Sequence, residues 1–282
     1  MQWMGRRESD NAEEGSSGGG GGRMALGGGV VGIIGLVIYL FTGVNPAQML
    51  QGNSSDSQGQ EQTTTKLTTS KNDEQKFARV VLADTEDTWN QLFKQMGRTY
   101  QEPTIHFFEQ GVETSGCGFA GSATGPFYCP GDQKVYLDLS FFQELEQRFG
   151  ASGDFSRAYV IAHEVGHHVQ KLLGVSDKMD QARQQLSETE YNKLSVKLEL
   201  QADFYAGVWA YYQKQRGLLD TGDIEEALNA ANAIGDDRLT QGRVSPDSFT
   251  HGTSAQRVYW FKKGFETGDV RQGNTFAAQD LE

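Results

Sequence analysis

The chain of 282 residues carries 37 acidic against 25 basic side chains, a formal charge of −12, and its lysines and arginines are nowhere clustered. That balance excludes a nucleic-acid binder, which needs a basic surface to meet phosphates. The length allows one or two domains, and the part from about residue 76 onward is ample for a single buried core.

In chain order, residues 1–23 include GSSGGGGG and read as a disordered tail. Residues 24–44, MALGGGVVGIIGLVIYLFTGV, contain no charged side chain, and as a helix they would rise roughly 31 Å, enough to cross a hydrocarbon core. A cleavable signal peptide is the competing reading, but FTGVNPAQM offers no small-residue cleavage motif, so an uncleaved single span is expected. Arg6, Arg7 and Arg23 precede the stretch, and no Lys or Arg follows it until Lys66. The positive-inside rule then puts the N-terminus in the cytoplasm and the rest of this inner-membrane, single-pass protein in the periplasm or outside the cell. Residues 45–75 read as a polar, flexible linker.

From residue 76 to 282 the pattern is that of an α+β domain dominated by helices. A first helix over 73–97 carries Phe77, Val80, Val81, Trp89, Leu92 and Phe93 at helical intervals and stops at Gly97. Strands are predicted at 103–110 and 134–140, flanking the Gly-rich loop CGFAGSATGPFYC. Cys117 and Cys129 suit a disulfide across that loop on an oxidising side of the membrane; two free thiols or a metal pair are the alternatives. A short helix follows at FFQELEQRFG, then helices over 154–173, 187–216, 222–234 and 254–267. Ser187 with Glu190 forms a capping box, and Gly174 and Gly217 mark helix ends.

Three of the five histidines fall within six residues of the helix over 154–173, in VIAHEVGHHVQ. Residues four apart lie about 40° apart in azimuth on a helix, so His163 and His167 project from one face and can meet one ion. Glu164 borders that face and can reach a metal-bound water without ligating the metal, the H-E-x-x-H arrangement of zinc hydrolysis. Gly166 leaves room for close backbone approach. His168 is turned about 140° from His163 and reads as a packing or supporting residue. A third ligand is expected from ELQADFYAG on the long helix, where Glu199 and Asp203 share a face: Glu199 as ligand, Asp203 as the acceptor that orients a ligating imidazole. His251, Tyr205, Tyr128 and Tyr191 are all candidates for a transition-state donor, while His106 sits in a predicted strand.

AHEVGHHVQ, ELQADFYAG, FYCPGDQKVYLDLSFF and HGTSAQRVYWFKKGF together resemble the bacterial neutral zinc metallopeptidase family, over about residues 75–270 and the span. The resemblance implies a zincin-like fold and a gluzincin-like site. In it Zn²⁺ is held by His163, His167 and the glutamate of ELQAD, and Glu164 is the catalytic residue. The expected function is hydrolysis of peptide bonds in a peptide or protein substrate outside the cytoplasmic membrane, Glu164 activating a zinc-bound water. Two other readings stay open: a metal hydrolase of cell-wall peptides, and a non-catalytic, zinc-stabilised envelope binding module.

Overall fold

A computed structural model describes residues 1–15 and 61–278. The expected span at 24–44 lies outside the described residues, and among those residues no helix is long and apolar enough to cross a membrane. The architecture is α+β and dominated by helices.

The N-terminal residues depart from expectation. Residues 1–15, expected within a disordered tail, pack on the domain and contribute a strand, β1 (Ala12–Glu14). Met1 and Ser9 are buried, and the Trp3 ring meets Phe77 edge-on at 5.4 Å. The Gly-rich sequence that suggested disorder begins only at Gly15, after the packed segment. A second departure is helix α1 (Glu61–Gln95), which starts well inside the region expected to be a linker. No proline or glycine interrupts that stretch, so nothing in it stops a helix from running upstream of the apolar stripe, even through five threonines of low helix propensity. The stripe itself behaves as read: Phe77, Val80, Val81, Trp89, Leu92 and Phe93 are all buried.

Strands β2 (Thr104–Phe108) and β6 (Lys134–Asp138) match the two predicted strands, and the region between them is richer than a loop. It holds an antiparallel hairpin, β3 (Gly111–Thr114) and β4 (Gly118–Gly121), and a short strand β5 (Phe127–Cys129). The main sheet has the order β1-β2-β6-β5, with β1, β2 and β6 parallel and β5 antiparallel to β6. Cys117 and Cys129 are disulfide-bonded across this region, with Cα atoms 5.9 Å apart, so neither serves as a thiol or metal ligand. Closing a loop of this size contributes about 3 kcal/mol in the chain-entropy account.

The helices follow: α2 (Ser140–Gln147), α3 (Asp154–Leu172), α4 (Val175–Arg183), α5 (Glu188–Gln215), α6 (Asp223–Ala233), α7 (Asp236–Leu239) and α8 (Ser254–Thr267). Helices α4 and α7 were not anticipated; α4 is polar and α7 is one turn, so neither carries a readable apolar period. The expected capping box of Ser187 and Glu190 is formed, and Thr253 with Gln256 forms another at α8.

The core is built where α3, α5 and α8 cross. Phe155 of α3 stacks on Trp209 of α5 at 5.5 Å, and Tyr159 meets Phe261 of α8 edge-on at 5.5 Å. Two contacts of small residues set the spacing. A Cβ on Gly166 would stand 2.9 Å from the Ala202 carbonyl oxygen, and one on Gly207 would stand 2.1 Å from the Phe261 carbonyl oxygen. The close backbone approach expected at Gly166 is present, and it is made by a neighbouring helix: the backbone of α5 lies against α3 there. Gly207→Ala is expected to force α5 and α8 apart and to lower stability by about 1–3 kcal/mol, the usual scale of overpacking. A thermal melt of the variant beside the parent checks this.

Candidate metal centre

Because α3 and α5 touch at Gly166 and Ala202, the flanking residues of the two helices face one another. His163 and His167 come from α3, Glu199 from the turn of α5 before Ala202, and Asp203 from the residue after it. One potential ligand atom from each of His163, His167 and Glu199 lies within 4.8 Å of the others, the one such group of three or more among the described residues. His163 Nε2 stands 3.2 Å from Glu199 Oε2, and His167 Nε2 stands 3.5 Å from Glu199 Oε1. Ligands held at 2.0–2.1 Å from a tetrahedral zinc are about 3.3 Å apart, so the separations suit one such ion. His163 is buried, whereas His167 and Glu199 each keep 15% of their side-chain exposure, leaving the cluster open on one side.

The hydrogen bonds behind these atoms fix which ring nitrogens face inward. His163 Nδ1 lies 2.8 Å from Asp203 Oδ1, and a carboxylate only accepts, so Nδ1 carries a proton and Nε2 is the nitrogen turned to the cluster, the one that would face an ion. His167 Nδ1 lies 2.8 Å from the Gln170 side-chain oxygen, with the same consequence. Gln170 is itself anchored, donating to the Leu198 carbonyl at 2.7 Å. Asp203 is fully buried and accepts four hydrogen bonds: from His163, from the Tyr159 hydroxyl at 2.5 Å, and from Arg257 Nε at 2.8 Å and Nη2 at 3.0 Å. Arg257, on α8, is fully buried as well and also donates to the Tyr159 oxygen at 3.2 Å.

Sequence reasoning missed Arg257, Tyr159 and Gln170. Gln170 follows His167 by three residues on the same helix face and was readable in principle. Arg257 and Tyr159 meet Asp203 only through the packing of three helices, which no local spacing announces.

The electrostatics favour a cation. Burial alone would push the His163 imidazole down, but the charge and hydrogen bond of Asp203 and the bond to Glu199 outweigh it and raise it to about 10. Burial opposes ionisation of Glu199 as well, yet the charge of His167 and the hydrogen bonds from both histidines hold it well below the usual carboxylate range. Glu164, buried beside the cluster, is raised by that burial against the pull of His163 and His167. A cavity of about 20 Å³, room for about one water, is lined by His163 and Glu164 together with Tyr159, Val160, Phe141, Ile234, Gly125 and Pro126.

The remaining candidates separate. His251 is buried, and its Nδ1 lies 3.1 Å from Asp236 Oδ1, while the other Asp236 oxygen accepts the backbone N–H groups of Thr250, His251 and Gly252. Asp236 thus fixes the ring, and the charge of His251 bears on Glu199. Tyr205 does not join the site: two residues beyond Asp203 it points about 200° around the helix, packing edge-on against Trp89 at 5.5 Å in the core. His168 faces away as read, donating from Nε2 to the Gln101 carbonyl at 2.6 Å and accepting from the Tyr128 hydroxyl at 3.0 Å. Burial lowers it to about 4, so it is neutral near pH 7. Tyr191 lies under the Arg183 guanidinium, and His106 pairs with Glu13.

A helix-borne pair of imidazoles, a carboxylate from a second helix and a buried glutamate beside them define a candidate metal-hydrolase centre in an α+β fold. The chain matches, over residues 1–276, the family described as "Putative neutral zinc metallopeptidase", and it belongs to that family. Among its relatives, "Uncharacterized protein YpfJ" of Escherichia coli (strain K12) is 51% identical over 284 residues, covering 98% of this chain and 99% of that protein. "Uncharacterized protein Mb2605" of Mycobacterium bovis is 44% identical over 223 residues, 74% of each. No solved structure matches.

Arg257→Gln is expected to lower zinc affinity about 10–100-fold, the usual cost of removing support behind a metal-ligating histidine. Tyr159→Phe, which deletes one of the four hydrogen bonds to Asp203, should lower it less. Competition with a chromogenic chelator at fixed pH measures both.

Proposed function

We propose that the protein is a zinc-dependent metallopeptidase acting on peptide or protein substrates outside the cytoplasmic membrane. The observation that carries this reading is the convergence of His163, His167 and Glu199 within 4.8 Å, with Glu164 buried beside them. The donor set of two imidazoles and one carboxylate, closed to three protein ligands among the described residues, fits a catalytic zinc that keeps a position for solvent or substrate. A zinc ion bound there would acidify a water and polarise the scissile carbonyl.

The chain's own residues then divide the remaining tasks. Asp203, fixed by Arg257 and Tyr159, keeps the His163 proton on Nδ1, and Gln170 does the same for His167. Glu164 takes the proton of the attacking water and returns it to the leaving amine. His251, oriented by Asp236, is the group assigned to donate to the oxyanion of the transition state. The side of the membrane is read from the bonded Cys117 and Cys129, which persist in an oxidising compartment. The apolar stretch 24–44 supplies the attachment to the bilayer.

Glu164→Gln is expected to bind zinc like the parent while turnover of an unfolded-protein substrate falls about 10²–10⁴-fold; zinc content and hydrolysis are measured on the same preparation. Glu199→Gln should instead lose zinc on dialysis. Equal hydrolysis by parent and Glu164→Gln would discard the assignment, and cleavage confined to peptidoglycan would narrow the substrate to cell-wall peptides. His251→Phe should lower kcat about 10²–10³-fold with KM little changed, as expected for a donor used only in the transition state.

A further inference from the structure

The packed N-terminus is hard to reconcile with a chain that crosses a bilayer once at residues 24–44. Helix α1 buries two carboxylates, Asp84 and Glu86, each only 2% exposed. Every hydrogen bond described for the Glu86 carboxylate comes from the N-terminal segment: Arg7 Nη1 at 2.9 Å, Asn11 Nδ2 at 2.9 Å and the Ser9 hydroxyl. Asp84 is held by both terminal nitrogens of Arg6, with Arg216 further off at 3.4 Å. Residues 6–11 therefore supply the hydrogen bonds that offset the burial of the Glu86 carboxylate, and a charge buried without such partners is strongly unfavourable. The backbone continues the same attachment, since β1 pairs in parallel with β2, Ala12 to Ile105 through Glu14 to Phe107, and the Gly15 N–H donates to the Phe107 carbonyl at 2.7 Å. Glu13 then bridges Lys134 and His106 on the next two strands.

A chain docked in this way has residues 1–15 and the metal-site domain on the same side of any membrane. A return crossing would need a second apolar stretch of about 20 residues, and residues 16–60 contain one, at 24–44. Exchange of N-terminal segments between two copies changes nothing, because each segment would still have to reach a domain's side. Arg6 and Arg7, two of the three arginines that gave the orientation signal, are engaged by Asp84, Glu86 and Asp87 in the folded protein.

We infer that residues 1–15 are a structural part of the metal-site domain in one shared compartment, and that residues 16–60 begin and end on that side of the bilayer. This replaces the cytoplasmic N-terminus expected from the arginines and is independent of the peptidase reading.

Single-cysteine labelling of the full chain tests it. Met4, 80% exposed, and Lys94, also exposed, are changed to Cys in separate variants, with the parent chain as the blank for Cys117 and Cys129. Spheroplasts are treated with a membrane-impermeant maleimide before and after lysis. The expected result is the same before-to-after labelling ratio at both sites. Labelling of both only after lysis would also uphold the shared compartment, while moving the proposed site of action to the cytoplasm. Labelling of Lys94→Cys in intact spheroplasts with Met4→Cys silent until lysis overturns the inference, provided both variants melt like the parent.

Discussion

One buried carboxylate organises the centre of this protein. Asp203 sits on α5, fully enclosed, and is shared by Arg257 from α8, Tyr159 from α3 and the imidazole of His163. An isolated charge at that depth would be very costly, and it is tolerated because a guanidinium meets it through two nitrogens while two further donors occupy its remaining lone pairs. The same four-way contact serves geometry. It ties the three helices whose crossing forms the core, and it decides which nitrogen of His163 faces Glu199. Fold and candidate chemistry therefore share a constraint: a change that lets α8 move away from α5 also frees the ring that is meant to hold the ion.

Small residues make that contact attainable. Gly166 against Ala202, Gly207 against Phe261 and Gly264 against Phe204 bring helix backbones closer than side chains would permit, which lets the carboxylates of α5 reach across. The N-terminal segment repeats the principle at the far side of the domain, where Arg6, Arg7 and Ser9 satisfy carboxylates that α1 buries. Both places show buried acids supplied with donors from sequence-distant segments, so local reading of either strand of the contact sees only half of it.

That asymmetry explains what the sequence disclosed. His163, Glu164 and His167 were legible because their relation is local to one helix, and Glu199 and Asp203 because four-residue spacing repeats on another. The helix boundaries at 154–172, 188–215 and 254–267 were legible from caps and from apolar periodicity. Arg257 and Tyr159 were hidden, since an arginine in QRVYW and a tyrosine in RAYVI look like an ordinary surface residue and an ordinary core residue until three helices are packed together. Tyr205 was misassigned because its neighbours in sequence belong to the site while its azimuth does not. The N-terminal fifteen residues were hidden by the glycines that follow them and by a strand too short to alternate.

The most direct test of the account is zinc K-edge absorption spectroscopy on the purified full chain, read with the metal content per chain. The arrangement predicts one zinc per chain with a nitrogen and oxygen shell at about 2.0–2.1 Å that includes two imidazoles. A chain that binds no stoichiometric metal, or a shell containing sulfur at about 2.3 Å, would contradict the centre built by His163, His167 and Glu199.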